Sequence, residues 1–258
     1  MIAEARVWVL RTMDNGSTGA REQILGRLRR SLEKQEKLFR KSIGQDLPDP
    51  PMTVFPSPTD KSLVESFATK LVELSGSCDV ARAGTDVAEQ VMRQVREWTT
   101  QSPSEPTEIL SWAPNELHVP RLEQTLAEIG ISLFVPEDLH DQRIRARAAS
   151  LNVGITGIEA AFANTGSILL SPGAGRSRAA GLLPLNHLVL VPLSRLYPTF
   201  EAWLLKLRQE GRLEALLQEG GQIAFVTGPS KSADIELTLT LGVHGPKTIH
   251  AIVFDDTK

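Results

Sequence analysis

Ile223-Ala224-Phe225-Val226-Thr227-Gly228-Pro229-Ser230-Lys231-Ser232-Ala233-Asp234-Ile235-Glu236 sets an apolar run directly against a loop rich in Gly and Ser. Four apolar residues bounded by a turn signal read as a buried strand, and residues 232–240 read as the helix that the loop opens. Strand, tight loop and helix form the repeating unit of an α/β sheet whose faces are covered. Free backbone N–H groups at such a junction, with the Ser230 hydroxyl and Lys231, can converge on an anion. The spacing is not that of a P-loop. A capped helix start, in which Ser230 or Ser232 satisfies its own turn, accounts for the same residues. Asp234 and Glu236 stand two positions apart, so at most one of them faces a common site.

The alternation continues outward from this stretch. Residues 60–74, 85–98, 121–129, 137–149 and 199–217 read as helices. Residues 79–82, 108–111, 131–135, 167–170, 188–191, 222–226 and 249–254 read as strands. Ahead of them, Ile24, Leu25, Leu28, Leu32 and Phe39 fall near helical spacing among Arg27, Arg29, Arg30, Lys34, Lys37, Arg40 and Lys41, so residues 19–43 are expected to be a basic amphipathic helix that Gly44 ends. Five prolines between residues 47 and 58 remove backbone donors and disfavour helix, which marks a linker. The expected division is an appendage over 1–58 and an α/β body over 59–258.

Two further stretches combine small residues with polar groups. Asn152-Val153-Gly154-Ile155-Thr156-Gly157-Ile158-Glu159 reads as a tight glycine turn leading toward Asn164-Thr165-Gly166-Ser167 at the mouth of a strand. Small residues there admit a ligand to the backbone, and they also simply make turns. Ser171-Pro172-Gly173-Ala174-Gly175-Arg176-Ser177-Arg178 carries two guanidinium groups able to clamp a carboxylate or phosphate. None of His118, His140, His187, His244 and His250 falls in a His-Glu-x-x-His unit, so no metal site is expected. Ser230, His244 and Asp234 lack the Gly-x-Ser-x-Gly setting of a nucleophile elbow.

The chain has 258 residues with 28 Lys+Arg against 31 Asp+Glu, a net charge of -3, so no basic field exists to hold a nucleic acid. Its one cysteine, Cys78, cannot by itself ligate a cluster that needs four thiolates, nor form an internal disulfide. A reducing, cytoplasmic setting is the expectation. The apolar patch at residues 7–10 is too short for a signal segment or a membrane span, and Met13 offers an alternative start that places residues 1–12 outside the protein.

Taken in order, Asn152 to Thr156, Thr165 to Ser167, Gly175-Arg176, Leu182 to Pro184, Thr227 to Glu236 with Leu239, and Gly242-Val243-His244-Gly245-Pro246 resemble the LUD-domain family in its lactate-utilisation branch. The resemblance covers residues 150–255 closely. It implies a three-layer α/β/α sandwich like the sugar-phosphate isomerase and CoA-transferase superfold. It implies a non-cluster component of an L-lactate to pyruvate oxidising system, binding no cofactor itself and acting beside partner proteins that carry iron–sulfur clusters. Asn164 departs from the family pattern, which often places an acid there, and Glu159 is the nearest substitute. On this reading Thr156, Thr165, Gly166, Arg176, Gly228, Ser230, Asp234, Glu236 and His244 line one pocket for a small anion or a partner, with no catalytic residue assigned. Two other classes stay open: a free-standing isomerase- or transferase-like enzyme on a phosphorylated or CoA-linked substrate, and a non-catalytic assembly or regulatory factor docking through its basic helix.

Overall fold

The computed structural model describes residues 21–31, 59–81, 84–100, 108–219, 222–233, 239–242 and 244–256. The chain divides into two units, Met1–Thr53 and Val54–Lys258. In the first, residues 21–31 are helical, with Ile24 and Leu28 exposed. The expected stop at Gly44 and the proline-rich stretch lie outside the described residues.

The second unit is built on six parallel strands: β1 (Ser77–Ala81), β2 (Glu108–Ser111), β3 (Ser132–Phe134), β4 (Val153–Thr156), β7 (Asn186–Pro192) and β12 (Thr248–Phe254). Their order across the sheet is β1-β12-β7-β4-β2-β3. Between them run helices α1 (Asp60–Glu73), α2 (Gly84–Thr100), α3 (Leu122–Glu128), α4 (Gln142–Ser150) and α5 (Ala179–Leu182). The chain crosses from β1 to β2 through α2 and on to the edge strand β3 through α3, then returns through α4 and α5. Right-handed crossovers put outward and return helices on opposite faces, which produces the three-layer α/β/α arrangement. Two neighbouring strands, β2 and β4, send their connections in opposite directions.

Four inner strands are long apolar runs because both faces are covered. Val153, Ile155, Leu188 to Val191, Ile249 and Ala251 to Phe254 are buried, with Phe67 and Leu71 of α1 and Val87, Val91 and Val95 of α2 packed into the same core. Asp141 caps α4 by accepting from the N–H groups of Arg143 and Ile144, as short acidic side chains do at helix starts. On α4, Arg147 donates to Glu108 of β2 and lies over the Phe134 ring of β3, so the edge of the sheet is tied down by one side chain.

A second sheet has the order β8-β5-β6-β9, from β5 (Ala160–Phe162), β6 (Ser167–Leu170), β8 (Leu196–Tyr197) and β9 (Ala224–Val226). Helix α6 (Phe200–Gln209) covers it through Trp203 and Leu207, which meet Ala160, Phe162 and Leu169 in a separate apolar cluster. Among the described residues no helix is long and apolar enough to cross a membrane.

Three expectations are corrected. Residues 152–156 are not a glycine turn; Val153–Thr156 is the buried central strand β4. Gly154 is there because α5 crosses it: a Cβ at that position would lie 2.0 Å from the Ala180 carbonyl oxygen. The loop at Gly228 does not open a helix. It leads into the antiparallel pair β10 (Lys231–Ala233) and β11 (Leu239–Leu241), consistent with the alternation Leu237-Thr238-Leu239-Thr240-Leu241. The helix expected over 199–217 is two, α6 and α7 (Leu213–Glu219), separated at Gly211.

Candidate functional site

Seven of the nine expected pocket residues are described, and these seven do not converge on one place. Thr156 is in the core, where its Oγ1 shares a 2.9 Å hydrogen bond with His187 Nε2; both residues are fully buried, and His187 Nδ1 has no partner. Burial alone pushes the His187 imidazole down to about 4. Thr165 and Gly166 form the β5–β6 hairpin turn, Gly166 lying against the backbone of Lys70 and Leu71 on α1. Ser167 Oγ meets Thr227 Oγ1 at 2.9 Å beside them.

At the end of the main sheet where its strands begin, Gly228 backs onto Leu74 and the Ser230 backbone N–H donates to the Pro246 carbonyl at 2.9 Å. The Ser230 carbonyl accepts from Gly242 N–H, and Lys231 Nζ donates to Ser75 Oγ. Gly228 and Ser230 are thus joined to the 242–246 loop, where His244 is exposed. Asp234 and Glu236 lie outside the described residues.

Arg176 stands at the opposite end, where the parallel strands finish. Ala113 N–H donates to the Gly175 carbonyl at 2.7 Å and Trp112 Nε1 donates to Ser177 at 3.0 Å, pinning the 173–178 loop to the segment after β2. Arg178, its expected companion in a clamp, instead donates to Gln222. Arg176 faces Glu116 at 3.8 Å, too far for a hydrogen bond, and its buried Nε has no partner.

Open α/β sheets bind ligands beyond the carboxyl ends of the strands, where successive connections diverge. Here that position lies between β2 and β4. The segment after β2, with the 3-10 turn Pro114–Glu116 followed by His118, packs against the segment after β4: a Cβ at Gly157 would lie 2.3 Å from the Glu116 carbonyl oxygen and 3.6 Å from the His118 ring. After β7, Arg195 donates to the Ile158 carbonyl at 2.6 Å. After β12, Asp256 accepts from both the N–H and the hydroxyl of Ser194, at 3.0 and 2.5 Å. Glu159, buried, has Arg195 and Arg212 each at 3.8 Å. Glu159 is therefore held between two guanidinium groups at the rim of this end.

The segments after β2 and β12 line an open depression of about 560 Å³, with Pro114, Asn115, His118, Arg121, Leu122 and Asp256 among its walls. Burial holds the His118 imidazole below its usual value, with Arg195 and Arg176 acting in the same direction and Glu116 and Asp256 opposing them. A ring that is neutral at pH 7 can accept a proton or donate a hydrogen bond. His118 and Arg121 both have left-handed backbones, at φ 57° and 61°. Such conformations cost of order 1–3 kcal/mol for residues with a side chain and concentrate at functional sites.

His118 stands in the sequence as one histidine among five, and Glu116, Arg195 and Asp256 carry no motif. Their signal was positional: Pro114-Asn115-Glu116-Leu117-His118-Val119-Pro120 is a polar loop directly after a predicted strand. Among the described residues no three His, Cys, Asp or Glu side chains gather as a metal site.

Residues 62–254 match the family model described as LUD domain. Lactate utilization protein C of Macrococcus caseolyticus is 28% identical over 214 residues, covering 77% of this chain and 84% of that protein. The protein of the same name from Halalkalibacterium halodurans is 29% identical over 237 residues, covering 86% and 94%. A solved structure of a DUF162 family protein from Deinococcus radiodurans superposes with a TM-score of 0.49 at 16% identity, covering 76% of this chain and 99% of that one.

Proposed function

The chain belongs to the LUD domain family, and from that premise we propose that it takes part in lactate utilisation, as the non-cluster component of a cytoplasmic system oxidising L-lactate to pyruvate. The observation that carries this reading is the likeness to Lactate utilization protein C over 94% of the length of one such relative. Oxidation of lactate to pyruvate releases two electrons and two protons. The electrons pass to iron–sulfur clusters on partner proteins, because a cluster of the usual kind takes four thiolates and this chain has one. That one, Cys78, is half-buried on β1, and burial pushes its thiol up to about 12, with Asp79 adding to the shift. A thiol so raised stays protonated at neutral pH and is a poor nucleophile. The chain's own contribution is an anion-binding surface at the carboxyl ends of its strands, where His118, Arg176 and Arg195 stand among carboxylates.

Growth tests the assignment. A strain deleted for this chain is expected to lose growth on L-lactate as sole carbon source, to keep growth on pyruvate, and to recover when the chain is restored. Undiminished growth on L-lactate after deletion contradicts it.

A further inference from the structure

The geometry points to Ser77 as a nucleophile that takes an acyl group from a carboxylic ester, with His250 as its base and Asp79 positioning the ring. The site lies on the outermost strands of the main sheet, at the end where β1 begins, and neither its success nor its failure bears on the lactate reading.

Side chains two apart on a strand share a face, so Ser77 and Asp79 stand side by side on β1. Strand β12 runs parallel beside it in a register that sets His250 opposite Ser77. The ring bridges the pair: Ser77 Oγ meets Nδ1 at 2.7 Å, and Nε2 lies 3.4 Å from Asp79 Oδ2 with no closer partner. An ionised carboxylate only accepts, so the neutral ring turns its one N–H toward Asp79 and leaves Nδ1 to accept from the Ser77 hydroxyl. Arg93 of α2 donates to the same Asp79 oxygen, and Trp98 of that helix stands edge-on to the ring with centroids 6.3 Å apart. A hydroxyl on a base that a third group orients is the arrangement by which unrelated folds perform acyl transfer.

His250 is 3% exposed whereas Ser77 is exposed, so the base is shielded and the hydroxyl is open to a substrate. Burial holds the imidazole below its ordinary value; Asp79 and Glu97 oppose that shift and Arg93 adds to it. The ring is therefore neutral at pH 7 and able to take a proton. As Ser77 Oγ attacks the ester carbonyl carbon, its proton passes to His250 Nδ1. The bond from that carbon to the alcohol oxygen breaks, the alcohol leaves with the proton, and the acyl group stays on Ser77. Water attacking the acyl-serine by the same route returns a carboxylic acid and the free hydroxyl.

The full chain is treated with an alkyl fluorophosphonate, which forms a stable adduct on activated serines, and fragmentation of the tryptic peptide over residues 71–82 assigns the adduct among Ser75, Ser77 and Cys78. Ser75 is the internal control: it is exposed, and its hydroxyl meets Lys231 Nζ at 3.1 Å in place of an imidazole. The expected adduct is on Ser77, at a rate that levels off by neutral pH because His250 is by then deprotonated. Ser77→Ala is expected to abolish labelling and the hydrolysis of p-nitrophenyl acetate. His250→Gln is expected to slow Ser77 labelling at least about 100-fold. Asp79→Asn, which keeps the buried ring and serves where the histidine variant fails to fold, is expected to slow it at least about 10-fold. Adduct on Ser75 or Cys78 as fast as on Ser77, no adduct on Ser77, or a rate that keeps rising into alkaline solution would overturn the proposal. So would equal labelling in the parent and Asp79→Asn, or ester hydrolysis that survives Ser77→Ala.

Discussion

Replacing Gly154 with alanine is expected to lower the unfolding free energy by about 3 kcal/mol or more, at the upper end of overpacking effects. The added methyl would lie 2.0 Å from the Ala180 carbonyl oxygen and 2.8 Å from Pro184 Cγ. The carbonyl belongs to the backbone of α5 and cannot rotate away, so α5 must lift from the central strand β4 or β4 must buckle. Either movement opens the core between Ile155 and Leu188, which are fully buried on adjacent strands. Denaturant unfolding of the variant beside the parent checks this, the midpoint falling at unchanged slope. An unchanged midpoint would mean that α5 is not seated on β4 as described.

The second large effect is on acid stability and follows from His187. Its ring is fully buried with an ordinary value of 6.5 and a folded value pushed down to about 4. Above pH 6.5 the ring is neutral whether the chain is folded or not, and the fold keeps its full stability. As the pH falls from 6.5 toward 4 the unfolded chain takes up the proton first, so stability is lost across that window and the loss stops growing below pH 4. At 1.36 kcal/mol per unit the loss amounts to about 3 kcal/mol. His187→Gln keeps a donor for the Thr156 hydroxyl and removes the titration. Unfolding free energies measured at pH 7 and pH 4 are expected to differ by about 3 kcal/mol more in the parent than in the variant. Equal differences would show that the ring reaches a proton without disturbing the core.

These two residues also show where sequence reading stops. Strands at 108–111 and 167–170 were legible because short apolar runs between turn signals have one structural use in an α/β chain. Gly154 was misread as a turn because a glycine needed for close approach of a helix has the same local signature as one needed for chain reversal. Past Gly228, a Gly- and Ser-rich loop after an apolar strand suggested a helix over 232–240, while the Leu-Thr alternation at 237–241 is the signal that fits the observed strand β11. The ordered small-residue motifs that carry the resemblance proved to be distributed: Gly166 and Gly228 pack on α1, Thr156 sits in the core, and Arg176 stands at the far end of the sheet. Motif order along a chain is a record of ancestry and does not require one pocket. His118, Arg195 and Asp256 come together only because β2, β7 and β12 end on the same side, and no spacing in the sequence encodes that proximity. Backbone strain at Arg121 had no sequence signal, and the enrichment of histidine in the left-handed region does not single out His118 among five histidines.

The proposed role has this chain serve lactate oxidation only together with cluster-bearing partners. Lactate-dependent reduction of an artificial electron acceptor, measured on the purified chain and on the tagged complex recovered from its own cells, with iron determined in both, is the test. The predicted result is activity and iron in the complex and neither in the chain alone, with activity lost when the complex is assembled without this chain. Robust lactate oxidation by the isolated chain, or a recovered assembly with neither iron nor lactate activity, would contradict it.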